Sequence, residues 1–273
     1  MNPDKSMLRT HLFCMALLLP AFGIAQEQPS AAAPPIDPEA MEILQKMANY
    51  VSKAPNFSVN MRAGYDAVQD SGQKVEFGET RRIFVRRPGH LRAEIEESNG
   101  DRSVIIVDGK ELIAFDETHK VYAKSPIAGT VDQAIMHFVG ELKMRLPLAA
   151  LLLSTFPAEL DRRVQALEFV EETTILGKRC DHLAARTEDV DFQAWVEKGD
   201  KPLLHRVIIT YKNEASAPQF WAQLSDWNFK PALTDKQFTF APPAGSNQIQ
   251  FAAHMIRPAP ADAAPQQKTG GKP

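Results

Sequence analysis

Apolar and polar positions along the chain alternate with two periods, and the switches between them divide it into a helix, a run of strands, an apolar helical block and a second run of strands. After Asp37 the residues Ile43, Leu44, Met47, Tyr50 and Val51 recur at helical spacing. Asp37 can cap the free amides, Pro38 suits the first helical position, and Glu39 favours the positive end of the dipole. The helix is predicted to end near Lys53, ahead of Pro55. Phe57, Val59, Met61, Ala63 and Tyr65 then alternate with mostly polar residues, the period of a strand with one buried face. Residues 74–86 and 91–97 read as a hairpin around Pro88-Gly89. A two-residue turn there would oppose Ile83 to Glu94. A three-residue loop at 88–90 opposes Ile83 to Ile95, Val85 to Ala93 and Arg82 to Glu96, and is the expected register because it keeps like faces together.

Asp108-Gly109, between RSVIIV and KELIAF, is a stronger hairpin signal and predicts a type I′ turn. Here both faces are apolar: Ile105, Val107, Leu112 and Ala114 on one, Val104, Ile106, Ile113 and Phe115 on the other. A pair wet on one side would not need this, so each face requires a cover, such as a helix on one and a ligand or core on the other. Val121 and Ala123 end this half. Thr130 to Gln133 opens a second helix, with Ile135, Met136, Phe138, Val139, Leu142 and Leu146 on its apolar face. PLAALLL at 147–153 reads as a buried helical turn, each leucine contributing about 1.5–3 kcal/mol on burial. These helices are the candidate cover. Strands follow at 167–175, 179–186, 190–197, 203–211 and 219–229, short and evenly spaced. A large antiparallel sheet curls as it twists, and with helices against it the chain belongs to the α+β class.

The ends add an address. Lys5 and Arg9 precede a short apolar run, Leu12 to Leu19, and Gly23-Ile24-Ala25 places small residues where signal peptidase reads. A cleavable signal over residues 1–25 is expected, cut after Ala25, with the mature chain periplasmic. The run is far short of the roughly 20 residues of a membrane anchor, and no later segment is long and apolar enough to span a bilayer. Cys14 sits inside the run with no small residues before it and is not read as a lipidation site. Residues 26–36 form a Pro/Ala linker, 37–254 a single folded domain, and 255–273 a Pro/Ala tail expected to be disordered. Charge is near balance, 31 Lys and Arg against 34 Asp and Glu, so nucleic acid is not an expected partner. Once Cys14 has left with the signal, Cys180 is the sole cysteine, so no internal disulfide is available and the core must hold the fold.

Candidate chemistry is sparse. The sequence has no Gly-x-Ser-x-Gly, His-Glu-x-x-His, Cys-x-x-Cys, P-loop or Gly-x-Gly-x-x-Gly, which lowers the expectation of common hydrolases, zinc enzymes and nucleotide enzymes. No cofactor is expected. Cys180 and His182 share one face of a strand; the functional reading is an activated thiolate, the plainer one a buried small residue beside a satisfied histidine. His137 and Glu141 are one helical turn apart, two ligands that do not make a metal site. Arg81, Arg82, Arg86, Arg87 and Arg92 could meet phosphate or lipid head groups, although Glu94, Glu96 and Glu97 on the facing strand favour cross-strand pairing. Trp195, Trp221 and Trp227 with Phe192, Phe220 and Phe229 crowd the later strands, as core or as the lining of a cavity.

Four strings, RRPGHLRAE from Arg86, VDGKELIAFDETHKVYA, LGKRCDHLAAR and FQAWVEKGDKPLLHRVIITYK, together resemble domain-of-unknown-function family 2092, a family of predicted periplasmic proteins, over most of 37–245. That family looks like a branch of the outer-membrane lipoprotein carriers of LolA and LolB type and the periplasmic stress sensor RseB. The resemblance implies an unclosed β-barrel of about eleven antiparallel strands with helices across its concave side, and a cavity between them that in the carriers takes up acyl chains. It implies no catalytic residue. LolA-type carriers hold the lid closed with an arginine, for which the Arg81–Arg92 cluster is the candidate. The lipidation cysteine of LolB-type proteins has no counterpart here, and the Pro/Ala tails are not part of the pattern. The expectation is therefore a non-catalytic periplasmic binder or carrier of lipid or of acylated protein. An envelope stress-sensing or protein-interaction module is the alternative, and an enzyme using Cys180 and His182 ranks third. The cavity candidates are Val59, Met61, Ile83, Val85, Ala93, Ile95, Ile105, Leu112, Phe138, Leu142, Leu151 and Leu152.

Overall fold

The computed structural model describes residues 35–127, 129–142 and 147–251. The expected export signal, nearly all of the linker, Leu146 and the tail lie outside the described residues.

Helix α1 (Pro38–Ser52) begins where the sequence places it: the Asp37 carboxylate accepts from the amides of Glu39 and Ala40, and Ala40, Leu44, Met47, Ala48 and Val51 form the buried stripe. A first meander follows, β1 (Asn56–Val68), β2 (Lys74–Arg86), β3 (His90–Glu97), β4 (Arg102–Asp108), β5 (Glu111–Asp116) and β6 (Val121–Pro126), each antiparallel to the last. Then come α2 (Val131–Met136), a π-helical turn (His137–Glu141), α3 (Ala149–Leu152) and α4 (Phe156–Arg163). A second antiparallel meander comprises β7 (Ala166–Ile175), β8 (Lys178–Arg186), β9 (Asp191–Glu197), β10 (Leu204–Thr210) and β11 (Gln219–Asn228). The meanders join through β1 and β11, with Met61 opposite Leu224 and Tyr65 opposite Phe220. A two-residue strand, β12 (Asn247–Gln248), completes the sheet alongside β6.

The sheet therefore has twelve strands, in the order β12-β6-β5-β4-β3-β2-β1-β11-β10-β9-β8-β7, rather than about eleven. Because β12 runs parallel to β6, it is mixed rather than wholly antiparallel. Two residues are too few to display a period, so this strand has no signature in the sequence. The order has a consequence for the helices. β6 and β7 lie toward opposite margins, and the chain between them, residues 127–165, has to cross the sheet. The helices form the cover because they are the crossing.

Two turns differ from expectation. The β2–β3 loop has three residues, but they are Arg87-Pro88-Gly89, closed by the pair Arg86 and His90. Ile83 thus opposes Ala93, not Ile95; Val85 opposes Leu91, not Ala93; and Arg82 opposes Glu94, not Glu96. A slip of two residues leaves every side chain on its face, so the face pattern could not detect it. At β4–β5 the central residues are Gly109 and Lys110, with Val107 opposite Leu112 and Gly109 at φ +88°. Asp108 does not occupy the turn; its carboxylate accepts from the amides of Lys110 and Glu111 and closes it from outside. The face assignments of this hairpin are unchanged.

The main core lies between α1, the crossing helices and one face of the sheet, with Phe57, Phe138, Phe220, Leu44 and Leu224 among its most buried members. The opposite face of β4 and β5 carries a second cluster, Val104, Ile106 and Ile113, against which Phe240 packs. Phe240 also meets Phe115 and Tyr122, with ring centroids 5.4 and 5.2 Å apart. Just before it, Phe238 is buried in a 3-10 turn (Asp235–Phe238) against His90 and beneath the Arg86 guanidinium. Both faces of the two-sided hairpin are covered, as its apolar pattern requires. The second cover is the chain that returns after β11.

Candidate functional site

Beneath the crossing helices lies a cavity of about 50 Å³. Its floor comes from β1 to β5 and β11, through residues such as Val59, Ile83, Ala93 and Leu112, and its roof from α2, the π turn and α3. Phe57, Phe138 and Trp227 are its aromatic walls. Of the twenty lining residues only Arg81 is polar. A space of this size admits a few water molecules at most. Drug-sized ligands occupy roughly 300–1,000 Å³, so the space as it stands is too small for one.

Nine of the twelve cavity candidates line this space: Val59, Met61, Ile83, Ala93, Ile105, Leu112, Phe138, Leu151 and Leu152. The other three do not. Val85 and Ile95 are on the same face but buried in the surrounding core, and Leu142 packs against that core half-buried. Alternation reports which face a side chain takes, not how far along the strand the cavity extends.

The roof is fastened to two turns of the sheet. The Val131 amide donates to the Pro88 carbonyl at 2.7 Å, and the Ile127 amide to that of Lys110 at 2.9 Å. Gly89 sits where these segments meet: a Cβ there would lie 2.4 Å from the Gly129 carbonyl oxygen and 3.3 Å from Gly109 Cα. Thr130 and Gln133 form a reciprocal capping box at the start of α2. Farther along, the Leu142 amide donates to the His137 carbonyl five residues back, at 3.1 Å, the bonding of a π turn.

The five arginines of the hairpin have separate roles. Arg87 is the one that grips the roof: its Nη2 donates to the Leu152 carbonyl at 2.8 Å, and its Nη1 lies 3.6 Å from Asp132 Oδ1. Asp132 in turn accepts from the amide of Ser154 at 3.1 Å and from its hydroxyl, so one carboxylate ties the start of α2 to the end of α3. Burial lowers the Arg87 pKa and Asp132 raises it, with burial the larger effect; the guanidinium remains charged. Arg82 and Arg92 pair with Glu94, and Arg86 with Asp235. Arg81 points inward, into the cavity wall. Sequence reasoning had not placed it there, although a signal existed: Arg81 shares the parity of Ile83 and Val85 and so falls on the apolar face of its strand.

The remaining candidates lie apart from the cavity. Cys180 is buried, its thiol donates to the Lys178 carbonyl at 3.5 Å, and burial pushes its pKa up to about 11. A thiol held there has almost no thiolate near neutral pH. His182 stacks on Trp195, with centroids 4.1 Å apart, and its Nε2 meets Gln193. His137 has one ring nitrogen on Glu141 and the other on Ser125, at 2.9 and 2.7 Å. Among the described residues no group of three His, Cys, Asp or Glu side chains is placed to hold a metal ion. Trp195 and Trp221 flank the Arg206 guanidinium on the outer face, and Phe220 is core.

Comparison with known proteins gives one sequence-level result: residues 40–252 match the family model described as "Predicted periplasmic protein (DUF2092)". Among curated proteins no match is found. Similar solved structures include an uncharacterized conserved protein from Thermus thermophilus, 11% identical, TM-score 0.46, covering 78% of this chain and 99% of that one. They also include the lipoprotein LppX from Mycobacterium tuberculosis, 14% identical, TM-score 0.45, covering 72% and 98%. A third is a LolA superfamily protein from Nitrosomonas europaea, 16% identical, TM-score 0.35, covering 74% and 97%.

Proposed function

The chain belongs to the DUF2092 family of predicted periplasmic proteins, and we propose that it is a non-catalytic binding or carrier protein of the periplasm that takes an apolar ligand, a lipid or the acyl chains of a lipidated protein, between sheet and crossing helices. The observation that carries this is the cavity itself. Nineteen of its twenty wall residues are apolar, and the polar ties between roof and sheet are Arg87, the His137–Ser125 bond and a few backbone bonds. A protein needing only a core has no reason to close a cavity with a removable latch. The π turn supports the same reading, since its irregular bonding gives the roof a place to rearrange. The burial of Cys180 apart from the cavity and its raised pKa favour binding over catalysis at that residue. Among the described residues no helix is long and apolar enough to cross a membrane.

The test is to purify the mature chain from an envelope fraction, extract it with organic solvent and examine the extract by mass spectrometry, with uptake of the neutral fluorophore N-phenyl-1-naphthylamine measured in parallel. Copurifying lipid or saturable uptake is expected. An empty extract together with no uptake would overturn the reading. A module that signals to an envelope partner is the second reading, favoured by Met136 and Val139, which the roof exposes to solvent.

A further inference from the structure

Arg81 is a buried cation in an apolar wall. It is 8% exposed and stands on β2 between Met61 of β1 and Ile95 of β3. Among the described residues its ion-pair partner is Glu79, two residues earlier on the same strand and equally buried. The two are close but badly aligned: among the described residues neither Arg81 Nε nor Glu79 Oε1 has a hydrogen bond. A buried polar group ordinarily finds a partner, and a guanidinium offers five donors in a fixed fork, so an Nε–H unpaired within the protein on a cavity-lining residue is free to donate to a guest.

Resting on the binding role above, we propose that the ligand carries a neutral carbonyl oxygen, that of an ester-linked acyl chain, which accepts from Arg81 inside the cavity. Charge selects this over a free carboxylate. Arg81 is already balanced by Glu79. A second anion brought to this place would meet a guanidinium already neutralised by a carboxylate. A neutral acceptor satisfies the donor without adding charge. The remaining walls, all hydrocarbon or aromatic, take the chain.

The experiment displaces bound N-phenyl-1-naphthylamine from the mature chain with methyl palmitate, palmitate and hexadecane. Methyl palmitate is expected to compete about tenfold better than hexadecane, the worth of one hydrogen bond to a charged donor, and better than palmitate. The double variant Glu79→Gln/Arg81→Met removes both charges at similar volume, a change that buried pairs tolerate, and should bind ester and hydrocarbon alike. Glu79→Gln alone leaves the cation unbalanced and should turn the preference towards palmitate; it decides the matter if the double variant does not fold. Equal competition by ester and hydrocarbon in the unaltered chain, or an ester preference that survives in the double variant, would overturn the inference while leaving the binding role standing. Failure of the fluorophore to bind, together with an empty lipid extract, overturns the role and the inference together.

Discussion

Glu197 shows how single side chains set this protein's response to pH. Its carboxylate accepts from His205 Nε2 at 2.8 Å and from Lys178 Nζ at 3.0 Å. Burial raises its pKa, but these two bonds outweigh burial and hold it below the usual 4.5. Asp191 is similar: burial raises it, and bonds from Arg186 and Lys212 bring it below 3.8. A carboxylate depressed on folding contributes stability that is complete above its unfolded value and is lost as pH falls through its folded one. Stability should therefore decline below about pH 4.5, and Glu197→Gln, which keeps the shape but cannot titrate, should flatten part of that decline. Urea midpoints at neutral and acid pH measure this; an identical acid loss in the variant would refute the assignment. At this scale the sequence was legible for Val59, Ile83 and Leu112, whose parity declares their face. It was not legible for Val85 and Ile95, on the same face but outside the cavity. Arg81 was readable in principle, but its charge suggested a solvated hairpin before its parity could suggest a buried one.

At the scale of elements, local chemistry marked what it controls. Asp37-Pro38-Glu39 and Thr130 to Gln133 announce helix starts, and both form as caps. Helix α4 was missed because its eight residues include Glu159, Asp161, Arg162 and Arg163 and bury little besides Leu160, so no apolar stripe betrays it. The β2–β3 register slipped by two because the choice depends on how Gly89 fits against the roof, a contact with residue 129 that no local pattern contains. The fit can be tested. Gly89→Ala should cost about 1–3 kcal/mol, typical of overpacking against atoms that cannot yield, because the atom it meets is a backbone oxygen. Gly140→Ala, where a Cβ meets nothing within 4 Å, is the control. Equal melting temperatures for the two variants would show that the junction gives way more easily than its geometry indicates.

For the whole molecule, two apolar faces on one hairpin required two covers, and the sequence showed that much. It did not show that the second would be the returning chain, since 229–251 has no periodicity and its hold depends on two aromatic side chains. Nor could periodicity show that β1 meets β11, a pairing across some 160 residues that makes one sheet from two meanders. The outer cover makes its own prediction. Phe238→Ala should destabilise by about 3–5 kcal/mol and loosen the segment that holds Phe240 over Val104, Ile106 and Ile113, read as a lowered urea midpoint with increased dye binding. A near-neutral effect would mean that the outer wrap is dispensable.

The path from β6 to β7 has a mechanical meaning. A flap hinged at one end can swing clear of what it covers, but a strap pinned near both margins cannot. It bows outward only by lengthening through its irregular turns or by drawing the margins towards each other. Room for a guest beneath such a strap would come either from those turns or from a change in how strongly the sheet is bent, and the second would be felt at rims that never touch the cargo.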